Sequence, residues 1–291
     1  MQEQRPYILI SNDDGYTAGG INYLIDTLMP VADLLVVAPD SPRSGAGCCI
    51  TPNVPLTCKP IHREPGLEIY ACSGTPTDCV KVALNRYIRR RPDLIIGGIN
   101  HGDNSSVNAH YSGTMGVATE GALQGYRSIA FSLCDHSSRA DFTPLHDYLL
   151  KFTQYALYNE LPPLSCLNIN FPLRESFEGV RVCRMAHSRW QNELAEREHP
   201  YGRPYFWLVG DCAELEPEAT ATDPSQGDYA LYQRAFVQGL QKDYQGKVAS
   251  LNTMIDRFPR STYVDDALYE KGRAYVQMEQ NTQAIASFKE L

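Results

Sequence analysis

No apolar stretch in the 291 residues approaches the roughly 20 residues that a membrane-spanning helix needs. The opening Met-Gln-Glu-Gln-Arg-Pro holds no apolar signal core. Both absences predict a cytoplasmic protein without membrane contact. Basic residues are scarce: 26 Lys and Arg stand against 34 Asp and Glu, for a net charge of −8, so a surface for duplex nucleic acid is not expected. The compact basic run Arg89-Arg90-Arg91 reads instead as the favourable C-terminal end of a helix. The nine cysteines include no Cys-x-x-Cys pair; Cys48-Cys49 are adjacent, and Cys72, Cys79, Cys166 and Cys183 sit in apolar or strand-like runs. Reduced, mostly buried thiols are expected. The seven histidines lack zinc-ligand spacing. There is no Gly-x-x-x-x-Gly-Lys-Ser/Thr, which excludes a P-loop NTPase, and no Gly-x-Ser-x-Gly, which argues against a serine-nucleophile elbow. A dinucleotide-dependent oxidoreductase would place Gly-x-Gly-x-x-Gly after its first strand. Residues 11–20 instead carry two aspartates, where a pyrophosphate would be repelled.

What the chain does have is alternation. Strand-like runs at Tyr7–Ser11, Leu34–Ala38, Leu67–Cys72, Leu94–Gly98, Ile129–Leu133 and Cys166–Ile169 are separated by helical patterns. Helices are expected over Gly19–Met29, Thr77–Arg90, Gly113–Gln124 and Leu145–Tyr158. This order predicts an α/β, Rossmann-like, doubly wound and mostly parallel sheet. Residues 171–225 read as a small irregular extension with one clear strand, Tyr-Phe-Trp-Leu at 205–208, and residues 220–227 as a linker. From residue 228 the pattern is all helical. Val248, Leu251, Ile255 and Phe258 mark one face, Pro259 breaks it, and helices follow over Val264–Met278 and from Thr282 to the end. Gly272-x-x-Tyr275 and Ala284-x-x-x-Phe288 match tetratricopeptide spacing. The expected domains are residues 1–227 and 228–291.

The chemistry-bearing segments sit after strands. Asn12-Asp13-Asp14-Gly15 follows the first; two adjacent carboxylates repel unless a cation or proton lies between them. Ser44 lies in the loop after the second strand, and Asn100 in Gly97-Gly98-Ile99-Asn100-His101-Gly102-Asp103-Asn104 after another. Ligands of an open α/β sheet bind beyond the carboxyl ends of its strands. Asp13, Asp14, Ser44 and Asn100 converge there as an all-oxygen donor set, which suits Mg²⁺ or Mn²⁺. Ser112-Gly113-Thr114 opens a helix and offers hydroxyls and free amides, a seat for an anion. Each piece alone reads as a turn or an N-cap, and Asp103 as a further ligand or a loop cap. In this order on this topology, a cation beside a phosphate seat predicts phosphoester hydrolysis. His101 and His110 are candidates for the leaving-group acid.

Six stretches then carry a resemblance over about residues 5–222: Ser-Asn-Asp-Asp-Gly-Tyr (11–16), Val-Ala-Pro-Asp-x-x-x-Ser (37–44), Ser-Gly-Thr-Pro-Thr-Asp-Cys-Val (73–80), Gly-Gly-Ile-Asn-x-Gly-x-Asn (97–104), Tyr-Ser-Gly-Thr-Met-Gly-x-Ala-x-Glu-Gly (111–121) and Leu-Asn-Ile-Asn-Phe-Pro (167–172). The sequence resembles the stationary-phase survival protein SurE family of metal-dependent nucleotidases. The resemblance implies one divalent cation per subunit on Asp13, Asp14, Ser44 and Asn100, with Asp13 and Asp14 catalytic. It implies a phosphate site at Asn12, Ser112, Gly113 and Thr114. It further implies hydrolysis of nucleoside 5′-monophosphates and often 3′-monophosphates, cleavage of short polyphosphate as in some members, and a homo-oligomer formed through this region. The family continues after the equivalent of Thr222 into Gly-Tyr-Val-Ser-Ile-Thr-Pro-Leu, part of a region it uses for exchange between subunits; here helical sequence stands in its place. The rival reading is an interaction scaffold whose helical tail recruits a protein partner.

Overall fold

The computed structural model describes residues 5–159, 161–183, 185–215, 231–232, 235, 238–239, 242–261 and 263–291. The expected linker at 220–227 and the expected boundary between 227 and 228 lie outside the described residues. The chain divides into two compact units, Met1–Val182 and Cys183–Leu291.

The first unit is built on seven strands: β1 (Tyr7–Ser11), β2 (Asp33–Pro39), β3 (Cys58–Glu64), β4 (Leu67–Cys72), β5 (Leu94–His101), β6 (Ser128–Leu133) and β7 (Leu167–Phe171). Their order in the sheet is β3-β4-β2-β1-β5-β6-β7. All pairings are parallel except β3 with β4. Its helices are α1 (Gly19–Leu28), α2 (Pro76–Val82), α3 (Asn108–Tyr111), α4 (Gly113–Leu123) and α5 (His146–Tyr158).

Side chains alternate across the sheet, as the strand repeat requires. Ile8 and Ile10 of β1, Leu34 and Val36 of β2, and Leu94 and Ile96 of β5 join one core cluster with Ile21, Leu24 and Leu28 of α1 and Leu149 of α5. Leu9, Leu35, Val37 and Ile95 face the other way, toward Cys79 and Val80 of α2 and Val117 of α4. Helices therefore cover both faces, and the central strands are buried but for Asp33 and His101 at their ends. Continuous apolar runs are the expected signature of such strands.

Three expectations are corrected. The helix over Thr77–Arg90 is shorter: α2 passes into a single π turn at Ala83–Tyr87, and Ile88 is already extended. Arg89, Arg90 and Arg91 thus do not end a helix. Arg89 pairs with Glu68, Arg90 with Asp93 at 2.8 Å, and Arg91 stacks on Tyr126. Of the nine free thiols only Cys72 and Cys79 are buried; Cys48, Cys49 and Cys183 are exposed.

The second unit holds two antiparallel pairs, β8 (Ser188–Gln191) with β11 (Asp211–Glu214), and β9 (Leu194–Glu198) with β10 (Pro204–Leu208). It also holds α6 (Tyr244–Arg257), α7 (Val264–Gln277) and α8 (Asn281–Lys289). Leu251 and Met254 of α6 pack with Ala267 of α7 and with Ala235. A partly buried Lys247–Glu270 ion pair links α6 to α7, and Gly272 of α7 leaves the room that the ring of Phe288 on α8 occupies.

Candidate active site

Strand β1 lies between β2 and β5, so the chain leaves its two neighbours in opposite directions. Beyond its carboxyl end lies the crevice in which doubly wound sheets bind ligands. Asn12 and Asp13 are buried there. Asn12 closes the turn, its Oδ1 accepting from Gly15 N–H at 3.2 Å and its Nδ2 donating to Gly15 O at 3.0 Å. Gly15 has φ +97°, and a Cβ there would lie 3.3 Å from Pro39 O, so glycine fits the turn where a side chain would not.

Asp13 is reached from α4. The Gly113 N–H donates to its Oδ2 at 3.0 Å and the Thr114 hydroxyl to its Oδ1 at 2.6 Å. Ser112 is the N-cap of α4, its Oγ accepting from Met115 N–H. The Thr114 N–H, in the first turn, has no acceptor within the helix. Asp14, next in sequence, accepts from the His101 N–H at Oδ2, 3.1 Å. Burial pushes the Asp13 carboxyl up to about 6, and the neighbouring Asp14 adds to the shift against the two donated hydrogen bonds. Burial raises Asp14 also, opposed by the His101 N–H and by the nearby rings of His101 and His136. The pair is short of positive charge.

The loop carrying Ser44 is tied at both ends to this centre. Arg43 N–H donates to Asp13 O at 2.7 Å, and Gly47 N–H to Tyr111 O at 2.9 Å, one residue before the cap of α4. The Arg43 guanidinium anchors the loop from behind, on Ser73 O at 3.0 Å. Ser44 itself is exposed. At the end of β5, buried Asn100 donates its Nδ2 to Gly102 O at 2.7 Å and to Asn104 Oδ1 at 3.4 Å. Its Oδ1 has no donor among the described residues, which leaves the carbonyl end for a ligand. This donor set is oxygen throughout and fits a hard divalent cation. Among the described residues no group of three or more His, Cys, Asp or Glu is placed to hold a metal; a cation here would rest on the two carboxylates with serine and asparagine oxygens beside them.

Loop 100–104 rests on a network for which the sequence offers no periodic signal. Asn104 is buried; its Nδ2 donates to Ser132 Oγ at 2.6 Å, its N–H to Asn170 Oδ1 at 2.7 Å, and its carbonyl accepts from Asn168 Nδ2 at 2.7 Å. The only clue is the Asn-x-Asn spacing of β7, which puts both amides on one face of the strand. His101 spends both ring nitrogens on backbone: Nδ1–H donates to Ser137 O at 3.0 Å and Nε2 accepts from Gly20 N–H at 3.4 Å. His110 is exposed on α3. The His136 ring crowds Gly102, where a Cβ would lie 2.3 Å from it.

The family description Survival protein SurE matches residues 8–192. The chain belongs to the SurE family. The 5′-nucleotidase SurE of Phocaeicola vulgatus is 50% identical over 223 residues, 77% of this chain and 87% of that protein. The 5′-nucleotidase SurE of Bacteroides fragilis is 47% identical over the same length, 77% and 88% of the two chains. The crystal structure of the SurE protein from Aquifex aeolicus superposes with a TM-score of 0.60 at 33% identity, covering 70% of this chain and 82% of that one. The SurE match takes in the whole sheet and the segments around Asp13, Ser44, Asn100 and Thr114, and it ends before α6.

Proposed function

We propose that this SurE chain is a divalent-metal-dependent 5′-nucleotidase that hydrolyses nucleoside monophosphates to nucleoside and phosphate. The observation that carries the reading is the adjacent Asp13–Asp14 pair, Asp13 buried and Asp14 half-buried, both carboxyls raised by burial, at the switch point of the sheet. The relatives, each a 5′-nucleotidase SurE, support the same chemistry.

Asp13, Asp14, Ser44 and Asn100 hold the cation, Mg²⁺ or Mn²⁺. When bound, it supplies positive charge to the phosphoryl oxygens and a more acidic water. The remaining work falls to the chain. Asn12, Ser112, Gly113 and Thr114 form the wall on which the phosphoryl group rests, with the Thr114 N–H at the positive end of α4 as its free donor. Asp14 Oδ1 has no donor among the described residues and takes the proton of the attacking water. Asp13, fixed by Gly113 and Thr114, keeps its lone pairs aimed without reorganising.

The test is phosphate release from nucleoside 5′- and 3′-monophosphates with Mg²⁺, with Mn²⁺ and with EDTA. Release that stops in EDTA and returns with either cation is the expected result. Undiminished release in EDTA overturns the reading.

A further inference from the structure

Three of the cysteines meet away from the proposed cation site. Cys58 on edge strand β3 and Cys72 on β4 are directly opposite in the antiparallel ladder, and Cys79 of α2 lies against Cys72. The ladder fixes how the first two face each other. Ser73 N–H donates to Thr57 O at 2.9 Å, which makes 57/73 a hydrogen-bonded pair. Pairs alternate along an antiparallel ladder, so 58/72 is a non-hydrogen-bonded pair, the kind in which Cα atoms come within about 4.5 Å and side chains are closest. That separation falls inside the range a disulfide spans. The Cys58 and Cys72 side chains therefore face each other across the ladder. The two residues differ in access. Cys72 is fully buried, whereas Cys58 is partly exposed on a strand whose other residues are exposed.

We propose that Cys58 and Cys72 are a redox-active pair that a low-molecular-weight disulfide joins into a cross-strand bond at the base of the Ser44 loop. Cys58 loses its proton to solvent, and its thiolate attacks the reagent disulfide, forming a mixed disulfide and releasing one thiol. Cys72 then gives up its proton as its sulfur attacks the Cys58 sulfur, forming the internal bond and expelling the second reagent sulfur as a thiolate, which takes up that proton. Two protein thiols are oxidised, and one reagent disulfide is reduced to two thiols. The bond lies at the strand end that supports the loop: Asp40 N–H donates to Cys72 O at 2.8 Å, and Arg43 to Ser73 O.

The full chain is incubated with oxidised glutathione, alkylated, digested and sequenced by tandem mass spectrometry, and its urea midpoint is compared with that of reduced protein. A Cys58–Cys72 link, protection of both thiols from alkylation and a raised midpoint that dithiothreitol reverses are expected. Cys58→Ser should abolish the midpoint shift while Cys48→Ser retains it. Cys58 and Cys72 remaining fully alkylatable, Cys58 stopping at the glutathione adduct, or Cys72 pairing with Cys79 instead would each overturn the proposal.

Discussion

The Thr114 hydroxyl donates a 2.6 Å hydrogen bond to Asp13 Oδ1, joining the first turn of α4 to the end of β1 across 101 residues. Both residues are buried. By sequence Thr114 reads as a phosphate donor; in the structure its side chain is committed to the carboxylate, and its backbone N–H is what remains at the helix end. Thr114→Val keeps the shape and removes the bond, leaving a buried carboxylate oxygen short of a donor. A loss of about 2 kcal/mol in stability is expected. The Asp13 carboxyl should also titrate higher and bind divalent cations less tightly at neutral pH. Urea unfolding and Mg²⁺ titration calorimetry check both; unchanged Mg²⁺ affinity would show that the bond does not tune the carboxylate.

Asp13→Asn and Asp14→Asn separate charge from shape. Each should lower the rate of phosphate release about a hundredfold or more, the size seen when one preorganised electrostatic contact is lost. In metal-free protein Asp13→Asn should not lower the melting temperature, because it removes a carboxylate that burial already disfavours. Circular dichroism melts beside the activity assay separate the two effects. A variant that melts as wild type and still turns over normally would remove Asp13 or Asp14 from the chemistry.

The pH dependence follows with a definite sign. Asp13 is held up to about 6 in the fold, above its ordinary value of 3.8. The folded metal-free chain therefore binds more protons than the unfolded chain between those values. Its contribution to stability is complete below the lower value and is lost as pH rises to about 6, a change of about 3 kcal/mol. A divalent cation competes with that proton. Thermal shift by Mg²⁺ should be small at pH 5 and large at pH 7.5; equal shifts at both would contradict the assignment of Asp13 as a ligand.

Much of this arrangement is legible in the sequence because buried parallel strands write themselves as apolar runs, and the residues at their ends change abruptly to Asp, Ser and Asn. Tyr7–Ser11 and Asn12-Asp13-Asp14-Gly15 are the clearest instance. Strand β3 was not legible. Cys-Lys-Pro-Ile-His-Arg-Glu is exposed almost throughout, and lysine and proline on an edge strand carry no alternation. The strands β8, β9 and β11 are only four or five residues long, too short to show a clear apolar alternation, unlike the aromatic run of β10. The early end of α2 follows from the π turn at Ala83–Tyr87, which no spacing announces. The bonds from Asn168 and Asn170 to Asn104 span 64 and 66 residues, beyond any local pattern.

Asn104 gives the last test, because it is placed to hold Asn100 without being a ligand. Its Oδ1 accepts from Asn100 Nδ2 and its Nδ2 reaches Ser132 Oγ, itself fully buried. Asn104→Ala strands the buried Ser132 hydroxyl, removes one of the two acceptors of Asn100 Nδ2 and should cost about 2 kcal/mol, lowering the melting temperature by several degrees in a chain of this size. It also frees the Asn100 amide to turn, which would present a donor where the cation needs an acceptor. Mg²⁺ affinity should fall along with stability. The comparison is Asn168→Ala, which removes a bond to the Asn104 carbonyl and one from Asn170 Nδ2, both at a more exposed position, and should have a smaller effect on both readouts. If Asn104→Ala destabilises the fold while Mg²⁺ affinity stays at the wild-type value, Asn100 is held by Gly102 alone, and Asn104 serves the fold but not the site.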